Sequence, residues 1–167
     1  NISDNNISQI PDWVCQLPNL RVLRIHNNSI KDLPVSATLC PNLQKLYLEG
    51  NGLEKIPDVV YELNGLTELY VDSNQISQLS PKISNLRNLT WLGLKDNKLN
   101  SLPSEFGCLK SLTVLNLKGN NLQGIPESFS NLPLRELFLD PRQVENFAKK
   151  DVKTLRSMAR NGCNIRR

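Results

Sequence analysis

The sequence predicts an α/β repeat solenoid, in which short parallel strands form one sheet and short helices, 3₁₀ turns and loops return the chain on the other side. Two observations predict this fold. An apolar pattern recurs every 23 residues without an insertion, and an asparagine stands at the same place in every unit. The stretch after residue 140 departs from this pattern and has the spacing of a helix.

The repeat consists of seven apolar columns. In one unit the pattern runs Leu20-x-x-Leu23-x-Ile25, continues to Ile30 and Leu33, and returns after 23 residues. Two further columns are Val14, Ala37, Val60, Ile83, Phe106 and Phe129, and Leu17, Cys40, Leu63, Leu86, Leu109 and Leu132. In the five complete units from Leu20 to Leu132, all 35 column positions are apolar, so the periodicity is not a chance pattern.

Each unit contains a candidate strand followed by a candidate turn. Leu23-x-Ile25 alternates as a strand does when one of its faces is buried. Stacked units would place such strands side by side, about 4.8 Å apart, in a parallel sheet. An asparagine follows each strand, where the chain turns inward, and its amide can both donate to and accept from backbone groups. These residues, the predicted asparagine ladder, are Asn5, Asn28, Asn51, Asn74, Asn97 and Asn120.

The pattern resembles the leucine-rich repeat family from Asn1 to about Asp140. The 23-residue period and the Leu-Pro ending, as in Leu33-Pro34, are similar to the repeats of intracellular scaffolds, bacterial effectors and the recognition arms of Roco-type GTPases. The resemblance implies a leucine-rich repeat horseshoe with a concave parallel sheet. Because the chain starts in the middle of the pattern, we expect further residues upstream.

We divide the chain into a solenoid over residues 1–140, with six to seven repeats of which the first is truncated, and a capping helix with a basic tail over 141–167. The seventh unit arrives one residue early and has Arg142 where the asparagine would stand. Asp140 and Pro141 suit the start of a helix, and Asn161-Gly162 suits its end. The apolar residues at helical spacing are Val144, Phe147, Ala148, Val152, Leu155 and Met158.

Composition narrows the possible functions. The net charge is +4, no apolar run reaches 18 residues, and His26 is the single histidine. Neither G-x-G-x-x-G nor a phosphate loop occurs, so we expect no metal, no cofactor and no catalysis.

The cellular location is predicted to be intracellular and cytoplasmic, or the host cytoplasm for a secreted effector. The four cysteines lack C-x-x-C spacing, which favours a reducing compartment. We interpret the glycosylation sequons at Asn1, Asn6, Asn27 and Asn88 as chance matches in an asparagine-rich chain.

Charge is uneven along the chain, with a net +6 after Asp140 and −2 before it. The basic C-terminal segment leaves RNA or an anionic membrane open as partners. We favour the interpretation that the basic segment is the solvated outer face of a cap, with its cations near a helix C-terminus. At the other end, Ile2, Ile7, Ile10 and Val14 are expected to face water on an exposed repeat edge.

The alternation that buries leucine also determines which residues the concave sheet displays. Three aromatic residues, Tyr47, Tyr70 and Trp91, fall on adjacent strands there and are our candidate anchors for a partner. The complete predicted partner-binding set is Tyr47, Tyr70, Trp91, Arg24, His26, Glu49, Glu68, Asp72 and Lys95. The alternative is cross-strand aromatic packing that only stabilises the sheet.

We therefore expect a monomeric, non-enzymatic module that binds a protein partner. Two other hypotheses remain. The chain could be the recognition arm of a larger GTPase, kinase or ubiquitin ligase, or it could be an extracellular receptor ectodomain.

Overall fold

The computed structural model describes residues 1–34 and 40–166. Seven strands of the described residues form one parallel sheet in chain order, as the sequence predicted. The strands are β1 Val22–Arg24, β2 Lys45–Tyr47, β3 Glu68–Tyr70, β4 Trp91–Gly93, β5 Val114–Asn116, β6 Glu136–Phe138 and β7 Asn164–Arg166.

The chain returns between strands through single 3₁₀ turns on the convex side, which the sequence also predicted. Those of the described residues are Asp12–Gln16, Asp58–Glu62, Pro81–Asn85, Ser104–Cys108 and Glu127–Asn131. Proline precedes four of them and opens the fifth, since its fixed φ suits a helix start. Each turn directs at least one apolar side chain, such as Val60 or Phe106, into the core.

The seven apolar columns pack as one core between the sheet and the turns. Their described positions from Leu20 to Leu132 are buried, apart from Leu20, which is half-buried. Ala37, the predicted member of one column, lies outside the described residues. Removing this continuous apolar surface from water is what holds neighbouring units together.

The first unit differs in part from the expected exposed edge. Ile10 and Val14 were predicted to face water, but both are buried, because the turn Asp12–Gln16 folds Val14 back onto the core. Ile2 is exposed and Ile7 is half-buried. Leu17, which continues a core column in sequence, is 44% exposed.

The asparagines after β1 to β5 donate the same three hydrogen bonds in successive units. Asn74 donates its amide to the carbonyls of Leu48, Val71 and Asp72 at 3.0, 3.0 and 3.2 Å. Its oxygen accepts from the backbone N–H groups of Asn51 and Leu53 at 3.0 and 2.9 Å. Asn28, Asn51, Asn97 and Asn120 repeat the three donations at the same spacing.

The two ends of the ladder depart from this set. Asn5 is exposed and donates only to the carbonyls of Ile2 and Ser3. At the other end, Gln143 occupies the position 23 residues after Asn120, donates to Leu117 O at 3.4 Å and is buried. Counting from the early leucines of the seventh unit predicted Arg142 at this position. The structure has Gln143 there instead, and its longer amide side chain reaches the carbonyl of Leu117.

The C-terminal segment is more than the single helix and tail that we expected. Two helices form, α1 Pro141–Glu145 and α2 Lys149–Arg160, with Asp140 as the N-cap residue of α1. The break places Phe147 in the core and leaves Ala148, expected on the buried face, exposed. Leu155 and Met158 of α2 are buried, and α2 packs against the turn Glu127–Asn131.

The expected tail forms strand β7. It pairs in parallel with β6, with Leu137 opposite Ile165 and Phe138 opposite Arg166. The buried Cys163 and half-buried Ile165 alternate as in the other strands. The other strands are equally short and were predicted from the 23-residue repeat, which β7 does not continue, so this strand was missed. Arg167, the last residue of the predicted tail, lies outside the described residues.

Replacing Asn74 with alanine is predicted to destabilise the protein by about 3 kcal/mol or more. The change leaves several buried backbone groups without partners, at about 1 kcal/mol or more each. Asn5→Ala is the matched control and is predicted to lower the free energy of unfolding by less than about 1 kcal/mol, since Asn5 is exposed. Urea unfolding followed by circular dichroism measures both. Equal losses would contradict a structural role for the buried rungs.

Candidate functional site

The concave face of the sheet consists of three columns of outward side chains, in register across the strands. The first column is Val22, Lys45, Glu68, Trp91, Val114, Glu136 and Asn164. The second column is Arg24, Tyr47, Tyr70, Gly93, Asn116, Phe138 and Arg166. The third column, just beyond the strand ends, is His26, Glu49, Asp72, Lys95, Lys118 and Asp140. The residues of these columns are half-buried or exposed, apart from Gly93, which is buried.

The three predicted anchors lie together at the centre of this face. The rings of Tyr47 and Tyr70 stack with centroids 4.5 Å apart and planes 5° apart. Trp91 lies 5.8 Å from Tyr70 at 33°, and the guanidinium of Arg24 covers the other side of Tyr47 at 4.7 Å. All three rings are half-buried, so part of each remains open to a partner.

One of the predicted charges, Glu68, already pairs with Lys45 of the neighbouring strand. Lys45 Nζ lies 2.7 Å from Glu68 Oε1, and the hydroxyl of Tyr70 donates to Glu68 Oε2 at 3.0 Å. Glu68 therefore orients Tyr70, and burial raises the pKa of that hydroxyl, with Glu68 adding to the rise. These contacts hold the Tyr70 ring in one position on the sheet.

Two carboxylates of the third column lie in an environment that disfavours their charge. Burial raises the pKa of Glu49 and of Asp72 from the ordinary carboxyl value. The charge of Asp72 raises the pKa of Glu49 further, while His26 and Arg24 oppose that rise. Asp72 Oδ1 accepts the backbone N–H of Lys95 at 2.7 Å, which partly opposes the shift. Glu49 Oε2 is buried and has no hydrogen-bond partner in the described chain.

The remaining predicted residues flank this centre. His26 Nε2 lies 3.8 Å from Asp4 Oδ2, and its ring lies 6.5 Å from that of Tyr47. His26 Nδ1 is buried and has no partner among the described residues. The ammonium of Lys95 pairs with Asp96 at 3.2 Å.

Sequence reasoning left two residues of this face, Gly93 and Arg166, outside the candidate set. Gly93 has no side chain in the second column beside Tyr70. Arg166 of β7 lies over the ring of Phe138 at 5.5 Å and contacts Glu136 at 3.3 Å. The glycine was readable from the register of the repeats. The arginine was not, because it depends on an unpredicted strand.

A stack of repeat units with one exposed sheet defines a class of non-catalytic interaction modules. The family model for the leucine-rich repeat matches residues 1–53, 41–99, 64–122 and 87–141. The chain therefore belongs to the leucine-rich repeat family, as its pattern suggested, and such repeats generally serve protein–protein interaction. A comparison with curated protein sequences finds no match. In the described residues, no helix is both long and apolar enough to cross a membrane.

Solved structures with the same fold come from bacteria and plants. A leucine-rich repeat protein of Leptospira interrogans is 27% identical with a TM-score of 0.55, over 96% of this chain and 52% of that one. An Arabidopsis thaliana receptor-kinase ectodomain, solved in complex with CASPARIAN STRIP INTEGRITY FACTOR 2, is 34% identical with a TM-score of 0.68, over 80% and 17%. A Listeria monocytogenes internalin is 21% identical with a TM-score of 0.80, over 98% and 45%, and shares the fold alone. The chain thus spans about half or less of each relative.

The raised pKa values of Glu49 and Asp72 predict a pH-dependent stability. A carboxyl that holds its proton more tightly when folded contributes stability below its unfolded pKa, and this contribution is lost as the pH rises through the folded pKa. The double variant E49Q/D72N is therefore expected to be more stable than the wild type at pH 7. The difference should shrink as the pH falls towards about 4, near the ordinary carboxyl pKa.

Urea unfolding between pH 4 and pH 8 measures this difference, with E127Q as the control for loss of an exposed carboxylate on the convex side. The control should follow the wild type at every pH. A double variant less stable than the wild type at pH 7 would show that the two charges stabilise the fold.

Proposed function

We propose that the protein is a non-catalytic module that binds a protein partner through its concave face, with Tyr47, Tyr70 and Trp91 as anchors. The observation that supports this most is the contiguous row of three half-buried rings on a sheet face whose outward side chains are half-buried or exposed. Aromatic side chains lose little conformational entropy on binding and dominate the energetics of protein interfaces.

The competing interpretation is that the rings only stabilise the sheet. Cross-strand aromatic pairs contribute about 0.2–1 kcal/mol each, so such a role would be small in a core of this extent. The solvent-exposed parts of these half-buried rings and the charges around them favour a recognition role. Arg24 and His26 on one flank and Glu49 and Asp72 at the centre would orient a partner by charge.

Replacing Tyr47, Tyr70 and Trp91 together with alanine is predicted to weaken partner binding by more than about a hundredfold, because the central anchors are lost. The fold should survive, since the three rings lie outside the core columns. Trp13→Ala is the matched control, because this tryptophan is 61% exposed on the convex side.

The measurement is a pull-down from cytosolic lysate with wild type, the triple variant and W13A as baits, followed by titration of the proteins recovered. Circular dichroism checks that all three are folded. Partners that bind wild type and W13A but not the triple variant would support the proposal. Partners retained equally by all three baits would place the interaction elsewhere, on the convex side or on α2.

We further propose that the protein works in a reducing, intracellular compartment. The cysteines Cys15, Cys40, Cys108 and Cys163 are all free thiols, and three of them are buried. Two sequon asparagines are engaged within the fold: Asn27 donates to Asp4 at 2.7 Å and Asn88 donates to the carbonyl of Asn64 at 2.8 Å. Intact-mass analysis of native protein, with and without thiol alkylation, tests this. Glycan mass or fewer than four alkylated thiols after unfolding would contradict it.

A second candidate is the recognition arm of a larger enzyme. The observation that favours it is the 34% identity to the ectodomain of a receptor kinase, of which this chain covers 17%. The full coding sequence distinguishes the two, because a catalytic domain would lie outside these residues.

A further inference from the structure

We propose that the outward face of α2 binds an anionic membrane surface through four cations, Lys149, Lys153, Arg156 and Arg160, which we call the cationic row. This contact is separate from protein binding at the concave face, and it would hold that face close to a lipid surface. The support comes from the direction of the four side chains, from their lack of partners in the described chain, and from the positive charges at the start of the helix.

The cationic row lies on the side of α2 that faces away from the core. Helix α2, Lys149–Arg160, buries Asp151, Leu155 and Met158. The four cations follow one another at spacings of four, three and four residues, and all of them are exposed. In an α-helix these spacings keep them within about 60° of one another around the axis, on a line about 16 Å long. The row is therefore one straight positive ridge.

No acidic group of the described chain neutralises the cationic row. The ion pairs among the described residues all involve other side chains, and none of the four cations donates a side-chain hydrogen bond there. The one acidic residue of α2, Asp151, is buried on the opposite side of the helix. The four charges are therefore free to meet an anion from outside.

The positions of these cations disfavour the helix that carries them. Lys149 and Lys150 are the first two residues of α2, where the helix dipole disfavours positive charge, and the N-cap residue makes no side-chain cap hydrogen bond. Lys149 with Lys153, and Arg156 with Arg160, are like-charge pairs four residues apart, which destabilise a helix. Cations near a helix C-terminus would account for the two arginines and not for the lysines. A binding role explains why such charges stand on a capping helix.

The composition of this face favours a lipid surface over a protein or a nucleic acid. The other exposed residues of α2 are Lys150, Ser157 and Ala159. Protein interfaces depend on aromatic or large apolar anchors and are poor in lysine, and this face has no such anchor. Single-stranded nucleic acids stack their bases on aromatic rings, which α2 lacks. A duplex presents its phosphates on two curved strands, so a straight row would meet few of them.

An anionic membrane suits both the row and the charge of the whole chain. Lipid headgroups move laterally and can gather beneath cations at any spacing, so attraction to the surface needs no matching shape. The net charge of −2 up to Asp140 and +6 after it would turn the C-terminal end towards the membrane. Because α2 packs against the convex turn Glu127–Asn131, this contact leaves the concave columns free.

The test is co-sedimentation of the protein with vesicles of phosphatidylcholine alone and with vesicles that contain about one third phosphatidylserine. The wild type should bind the anionic vesicles at low salt, release them at high salt, and leave the neutral vesicles unbound, because the attraction is electrostatic and screened by ions. The row variant is K149Q/K153Q/R156Q/R160Q. The charge-matched control is R21Q/K55Q/R87Q/K110Q, which removes four exposed cations from the solenoid.

The row variant is expected to lower the membrane partition coefficient by about a hundredfold or more, since each lysine or arginine at an anionic surface contributes about fivefold. The control should lower it by less than about fivefold, because its charges lie farther than a Debye length from the surface. The double variants K149Q/K153Q and R156Q/R160Q should each lower it by about tenfold or more. They give the answer if circular dichroism shows that the row variant is unfolded.

Salt-sensitive binding to the anionic vesicles that is lost in the row variants and kept by the control would support the proposal. Equal losses in the row variant and the control would show that net charge alone is responsible, and would overturn it. Absence of binding to the anionic vesicles, or binding that depends on Trp13 or on the Tyr47/Tyr70/Trp91 anchors, would overturn it as well. So would row-dependent binding to an RNA oligonucleotide or an acidic peptide without binding to vesicles.

Discussion

The fold depends on one constraint, which is that backbone groups must be satisfied where each strand ends and the chain turns into the core. One asparagine amide meets this need in each unit by bonding to its own turn and to the preceding unit at once, as Asn74 does with Val71 and Leu48. No apolar side chain could fill this buried position, because the carbonyls and N–H groups around it would remain unpaired. The same bond that closes one turn therefore sets the spacing of the next unit.

A regular spacing of units has a direct consequence for the concave face. When each unit repeats its predecessor at a constant offset, outward side chains fall into columns, and the chemistry of the surface is set by neighbours 23 residues apart in sequence. The stack of Tyr47 on Tyr70 arises in this way, since neither residue is near the other in the chain.

The backbone turn after each strand is equally regular. Its left-handed position is filled by Asp4, Asn27, Gly50, Ser73, Asp96 and Gly119, with φ between 52° and 67°.

The periodic part of the molecule could be predicted from sequence, and the aperiodic part could not. Within the complete repeats from Leu20 to Leu132, burial, strand register and the aromatic cluster all follow from counting columns, because each unit makes the same contacts with its neighbours. Prediction was wrong where one residue or a few decided the structure. Gln143 continues the ladder through a longer side chain, and Asn146–Ala148 break the expected helix. Three residues form β7, which brings Arg166 onto the face. In each case the structure is decided by a contact with a neighbouring unit, and the local sequence pattern carries no information about that contact.

Glu49 and Asp72 are the part of the surface that folding alone explains least. A buried carboxylate is disfavoured relative to an amide of the same shape unless a cation or several donors compensate it. Asp72 accepts one backbone N–H from Lys95, a bond that asparagine could also accept, and Glu49 Oε2 accepts none in the described chain. Packing against Gly93 likewise requires the size of the Asp72 side chain and not its charge. Cations of the chain oppose this cost only in part: Lys95 lowers the pKa of Asp72, and His26 and Arg24 lower the pKa of Glu49, yet burial outweighs them and both pKa values remain raised.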